Sequence, residues 1–143
     1  MNHHTQGLQR FVEAQEQVYS NVIDELALGS KQTHWMWFVF PQLKELGKSA
    51  MAKYYGLESA QEARDYLAHP LLGPRLLECT GLILALRNAD ANEIFGSPDD
   101  IKLRSCMTLF DALAPQQPLF RQALHTFFAD KPDQATLQLL KLP

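Results

Sequence analysis

The sequence predicts an all-α protein, a single compact domain of about seven helices spanning residues 1–143 with residues 1–6 flexible. Three observations carry that expectation. Apolar residues recur at intervals of three and four along most of the chain, and no stretch alternates with period two. Glycine and proline fall where such runs end, and Ser, Thr or Asp where they begin. At 143 residues the chain buries a core without needing disulfide or metal staples.

Leu8, Phe11, Val12, Val18, Tyr19, Val22, Ile23 and Leu26 predict one helix over about 8–28, stopped by Gly29. Gln15 falls within its apolar stripe, and a buried carboxamide needs backbone, side-chain or ligand partners. The stretch from Thr33 to Gln42 then holds both tryptophans, Trp35 and Trp37, with Phe38 and Phe40, between His34 and Gln42. Thr33 serves as a helix N-cap and Pro41 as a terminator, which favours a turn or two of helix. So much ring surface is either the main core element or one wall of a stacking pocket. Leu43 to Gly47 reads as a linker, and Ser49 to Tyr55 as a short helix ending at Gly56.

Ser59-Ala60-Gln61-Glu62 has the spacing of a capping box, and Pro70 bounds the helix that follows. Glu62, Tyr66 and His69 share one face of it, a carboxylate, a phenol and an imidazole in line as acid–base chemistry requires. The structural alternative is that Glu62 closes the capping box and His69 meets the helix C-terminal dipole. Gly73-Pro74 opens a helix so apolar around its circumference that a central, buried position is expected, with Arg75 placed to meet an acid or a phosphate. After a turn over Ala91–Phe95, Ser97-Pro98-Asp99-Asp100 reads as the N-cap and first turn of another helix. Asp99 and Lys102 fall on its buried side, where unpaired charge is costly. Either Lys102 snorkels from a turn outside the core, or Asp99, Lys102 and Ser105 floor a cleft whose helix N-terminus favours phosphate. Leu119–Ala129 and Asp133–Leu142 complete the set, with His125 at the edge of the apolar face.

Composition narrows the function. A net charge of −3 with no basic run argues against extended nucleic-acid binding but leaves a nucleotide-sized ligand open. Cys79 and Cys106 lie far apart on apolar segments, the pattern of buried reduced thiols, and no metal-ligand spacing exists. Phosphate-loop, dinucleotide, serine-hydrolase and zinc-protease signatures are missing, so neither a cofactor nor a metal is expected. The first residues lack a signal-peptide pattern, and the longest apolar run, Trp35 to Phe40, is too short for a bilayer; a cytoplasmic protein without a membrane partner is expected, its oligomeric state open.

Polar groups embedded in apolar surfaces form the candidate site: Gln15, His34, Gln42, Glu62, Tyr66, His69, Arg75, Asp99, Lys102 and Ser105, with Trp35 and Trp37 among them. Rings, amides, a cation and acids together suit a base-plus-ribose ligand. The same residues carry a resemblance. From about Leu8 to Leu140 the chain resembles the domain of unknown function 1810 family through Arg10-Phe11, Ala14-Gln15, His34 to Phe38, Phe40-Pro41-Gln42 and Tyr55-Gly56. The pattern continues through Glu62-Ala63, Tyr66-Leu67, His69-Pro70, Arg75-Leu76, Asp99, Lys102-Leu103, Ser105 and Met107 to Phe110. That family is remotely similar to the YbiA-like, or NADAR, helical proteins of NAD and ADP-ribose metabolism. An occasional label of calpastatin does not fit, because that inhibitor is disordered whereas this chain has periodic apolar faces throughout.

The resemblance implies a YbiA-like fold and a hydrolase of N-glycosidic bonds in a nucleotide or ADP-ribose-like substrate. Trp35 or Trp37 would stack the base, Lys102 or Arg75 would hold phosphate, and Glu62 or Asp99 would stabilise the sugar cation or activate water. His34 would protonate the leaving base, with Gln15, Gln42, Tyr66, His69 and Ser105 completing the pocket. Two other readings stand beside it: a non-catalytic nucleotide or metabolite binding module in the same cleft, and a protein-interaction module anchored by exposed tryptophans.

Overall fold

A computed structural model describes residues 3–141, with side chains from residue 7 onward, so the expected flexibility of residues 1–6 falls outside the described side chains. Among the described residues the chain forms ten α-helices and no strand: α1 (His3–Glu16), α2 (Tyr19–Leu28), α3 (Met36–Val39), α4 (Ala50–Tyr54), α5 (Ala60–Ala68), α6 (Leu72–Leu84), α7 (Ala91–Phe95), α8 (Asp99–Leu113), α9 (Pro118–Phe128) and α10 (Gln134–Leu140). The all-α expectation holds, but the count of about seven does not. The single helix expected over 8–28 is two, broken at Gln17–Val18, because both halves present apolar faces to the same core and their rows run on across the break. The stretch expected as a linker contains a 3₁₀ turn, Lys44–Leu46.

The central helix is α8 rather than α6. Every residue from Ser105 to Asp111 is buried, whereas α6 keeps Leu77, Leu82 and Leu84 half-buried. α8 packs on α5, α7, α9 and α10, while α6 packs on α2, α5 and α9. Aromatic rings link the layers: Phe11 of α1 meets Tyr66 of α5 edge-on at 5.1 Å, Tyr66 meets Phe110 of α8 at 5.8 Å, and Phe110 meets Phe120 of α9 at 5.6 Å. No helix among the described residues is long and apolar enough to cross a membrane.

Glu25, near the end of α2, fixes the approach to the aromatic stretch. Its carboxylate accepts the backbone N–H groups of Gln32 and Thr33 (2.7 and 3.0 Å), the Thr33 hydroxyl (2.7 Å) and the Trp35 indole N–H (2.9 Å). Thr33, expected to cap α3, is therefore spent on Glu25, and Trp35 occupies the N-cap position without a side-chain cap. Partial burial pushes the Glu25 carboxyl up, but these four hydrogen bonds outweigh it and hold it at about 2, from 4.5. A carboxyl depressed in the folded state stabilises the fold above its unfolded value and loses that contribution as pH falls from about 4.5 towards 2. Glu25→Gln should therefore cost about 1–2 kcal/mol at pH 7, after solvent screening, and only a small remainder of that at pH 2, where the carboxyl is about half protonated. Urea midpoints measured across that range, wild type against variant, check the convergence.

Candidate functional site

Pro41 cannot continue a helix; α3 ends at Val39, just before it, and Leu43 follows in extended backbone. The Gln42 carbonyl accepts the Leu57 N–H (2.9 Å) and the Lys44 N–H donates to the Leu57 carbonyl (2.8 Å), an isolated parallel bridge between Leu43 and Leu57. The turn at Tyr55–Gly56 lies flush against this segment; a β-carbon at Gly56 would overlap the Lys44 backbone, so only glycine allows the approach. α3, Gln42, α4 and this turn thereby curl around a recess that α8 closes with Lys102. Met36, Trp37, Phe40, Gln42, Ala52, Tyr55, Gly56 and Lys102 line it. The space is about 240 Å³ counted out to bulk solvent, but as it stands the recess has room for about one water molecule.

Charge at the mouth is arranged in a row. The Lys102 ammonium stands 5.6 Å from the Trp37 ring centroid and 3.6 Å from an Asp99 oxygen. The other Asp99 oxygen pairs with Lys31 at 3.0 Å, and Lys31 in turn lies 5.1 Å from the Trp35 ring. Two cations against one carboxylate leave the mouth electropositive. Behind it, the Trp37 indole N–H is buried and has no hydrogen-bond partner among the described residues. A donor left in that state costs roughly 1–3 kcal/mol, and it belongs to the ring that lines the slot beside an amide and an ammonium. The slot can accept a small flat group with an oxygen acceptor on its edge.

Of the sequence-predicted residues, Trp37, Gln42 and Lys102 line this recess, with Asp99 adjoining through Lys102. The others lie elsewhere. Glu62 is buried in a 3.1 Å ion pair with Arg10 and accepts the Glu58 N–H at 2.9 Å, not the N–H of its cap residue Ser59 as a capping box would have it. Gln15 donates to the Phe38 carbonyl (2.7 Å) and the Tyr66 hydroxyl (3.0 Å) and accepts from Arg75 (3.4 Å). Tyr66 also donates to the Phe38 carbonyl, at 3.1 Å, and burial holds its hydroxyl well above the ordinary phenol range. Arg75 lies over the Tyr19 ring and pairs with Glu16 at 3.3 Å. His69 accepts the N–H groups of Leu71 and Leu72, capping the start of α6 rather than meeting the α5 dipole. Trp35 is wholly enclosed, so it neither lines the recess nor forms an exposed anchor. Ser105 is buried and back-bonds to Ile101 (3.4 Å), and His34 is exposed.

Glu62 and Tyr66 lie on α5, whereas His69, expected on the same face, follows its end in extended backbone; the three do separate jobs. Burial pushes the Cys79 thiol up to about 12 and the Cys106 thiol well above its usual range, which removes thiolate chemistry from both. Among the described residues no group of His, Cys, Asp and Glu is placed to hold a metal. The sequence reading missed Tyr55, a wall of the recess, and Lys31, the second cation on Asp99. Tyr55-Gly56 stands out in the sequence as a helix stop and as part of the family pattern, neither of which marks a pocket wall, and Lys31 sits in a polar run with no periodic signal.

The class these features define is an all-helical protein with one aromatic slot guarded by a paired lysine. Residues 5–140 match the model of a family described as Protein of unknown function (DUF1810), and the chain belongs to that family. The fold is similar to the 1.38 Å crystal structure of the conserved hypothetical protein Rv1873 from Mycobacterium tuberculosis. That chain is 48% identical, with a TM-score of 0.93, the match covering 95% of this chain and 97% of that one. No curated protein matches.

Proposed function

We propose that the protein binds a small planar metabolite, nucleobase-like in shape and carrying oxygen acceptors, in the slot beside Trp37. The observation that carries this reading is the buried, unpartnered Trp37 N–H, set among Gln42, Tyr55 and the Lys102 ammonium. Binding would part the Trp37 and Tyr55 side chains, which leave room for about one water; the ring would then lie between them, an edge oxygen would accept from the uncovered indole, and Lys102 would meet an anionic substituent.

Hydrolysis of an N-glycosidic bond, the activity implied by kinship with YbiA-like proteins, would draw on the same slot. It needs a carboxylate at the sugar, and the one adjoining the recess, Asp99, is already neutralised by Lys31 and Lys102. Glu62 is spent on Arg10. Binding without turnover is therefore the reading the geometry supports better.

Thermal unfolding with nucleobases, nucleosides, nucleotides and ADP-ribose tests it. A ligand at a hundred times its dissociation constant should stabilise by about 2.7 kcal/mol, and chromatography of the same mixtures should show no product. Trp37→Phe should abolish the response while changing intrinsic stability by less than about 1 kcal/mol, since a lost ring contact is offset by removing an unpaired donor. A panel without any stabilising compound, or a Trp37→Phe variant that responds like wild type, would overturn the reading; a cleaved glycosidic bond would replace it with the hydrolase.

A further inference from the structure

We propose a second binding site, away from the Trp37 slot, for a small zwitterion bearing a primary ammonium and a carboxylate, built on Asp111 and Arg121. Asp111 lies in the last turn of α8 with its side chain only 9% exposed. One carboxylate oxygen accepts from Arg121 Nε at 2.9 Å; the other, Oδ1, is buried and has no partner in the protein. A structural ion pair between these groups would normally use the two-pronged geometry that satisfies both oxygens. Here the guanidinium is engaged through Nε, on a side chain 68% exposed, and among the described residues its terminal nitrogens and one carboxylate oxygen meet no partner. Burying such an acceptor unpaired is costly, and buried polar atoms in native proteins rarely go without a partner.

Two adjoining clefts meet at this pair. One, of about 320 Å³, is lined by Asp111, Arg121, Leu124, Asp130 and Pro132. The other, shallower and about 540 Å³, shares Arg121 and Asp130 and adds His125, whose Nδ1 lies 3.0 Å from an Asp130 oxygen. None of these residues lines the Trp37 recess. Around the covered Asp111 Oδ1 the site sets a second carboxylate, Asp130, the Arg121 guanidinium, and an apolar wall of Leu124 and Pro132. Its one ring is the His125 imidazole, already paired with Asp130, and it has no indole, phenol or phenyl ring. An ammonium on Asp111 with a carboxylate on Arg121 satisfies both sets, which is the chemistry of an α-amino acid. Held by one hydrogen bond and largely exposed, Arg121 can move aside to admit the ammonium.

The test is titration of the ¹⁵N-labelled full chain with L-alanine, ethylammonium chloride and sodium acetate at matched ionic strength, followed by amide chemical shifts. L-Alanine is expected to move the amides around Asp111, Arg121 and Asp130 saturably in the millimolar range, ethylammonium about tenfold more weakly, and acetate not at all. Arg121→Gln should bring L-alanine down to the level of ethylammonium, and Asp111→Asn should abolish both. Arg121→Gln changes an exposed side chain, so it carries the test even if Asp111→Asn fails to fold, and Trp37→Phe should leave the titration unchanged. Absence of a saturable response to L-alanine, an equal response to acetate, or indifference to Arg121→Gln would overturn the proposal.

Discussion

Replacing Glu62 with alanine is expected to cost about 3–5 kcal/mol, lowering the melting temperature by roughly 10 °C, whatever the protein binds. The reason lies in what Glu62 neutralises. Arg10 donates from Nη2 to Glu62 (3.1 Å) and to the Gly56 carbonyl (2.9 Å), from Nε to the Tyr54 carbonyl (2.8 Å), and from Nη1 to the Gly7 carbonyl. It thereby ties α1 to the end of α4 and to the start of α5. The two side chains are 12% and 4% exposed, so removing the carboxylate strands a guanidinium in a poorly solvated place. Glu62→Gln keeps the shape and an acceptor for the Glu58 N–H, and should cost about half as much. Urea denaturation of both variants checks this ordering. If Glu62→Gln instead kept full stability and lost all ligand response, the carboxylate would belong to a binding site rather than to this knot. The knot also holds the Tyr54–Gly56 carbonyls that back the Trp37 recess, so a severe change at Glu62 should weaken ligand binding indirectly.

Gly73→Ala is expected to be as damaging, against ordinary helix propensity. Alanine is favoured over glycine inside a helix by about 1 kcal/mol. At position 73, however, a β-carbon would stand 3.0 Å from the Leu67 carbonyl carbon and overlap its oxygen. The obstacle is backbone, in the last turn of α5, and His69 holds the α5–α6 corner by accepting from Leu71 and Leu72. Nothing soft can yield, so the two helices must separate, at a cost of about 3 kcal/mol or more. Gly81, in the same helix, has nothing within 4 Å of the corresponding position. Gly81→Ala should therefore stabilise by about 0.5–1 kcal/mol. Opposite signs for two identical substitutions eight residues apart, read from thermal or urea unfolding, isolate the close approach as the cause.

Helix periodicity made the class of fold legible, because every long helix is amphipathic and its apolar rows can be counted. It could not show the break between α1 and α2, where Gln17 and Val18 carry no glycine or proline and the apolar rows continue across the turn. Nor could it choose between α6 and α8 as the central helix, since α6 is the more uniformly apolar yet the less buried. For the site, helical wheels rightly marked Gln15, Glu62, Tyr66 and Ser105 as polar groups in buried places. They could not reveal what satisfies them. Arg10 meets Glu62 across 52 residues of chain, Gln15 meets Tyr66 across 51, and Arg75 meets Gln15 across 60. A buried polar group that props up a core and one that waits for a ligand look alike on a wheel; the difference is whether a partner from a distant segment arrives. For Glu62, Gln15 and Tyr66 it does, and for Trp37 it does not.

The unequal settings of the two indoles have a practical consequence. Trp35 is sealed and tied to a carboxylate, so its emission should stay constant and beyond the reach of aqueous quenchers. Trp37 sits at the slot under an ammonium, where any guest must alter its surroundings. With only these two tryptophans in the chain, a change in fluorescence on adding a compound can be assigned to one residue without a label. The protein thus carries its own optical gauge of occupancy, with an internal reference two positions away.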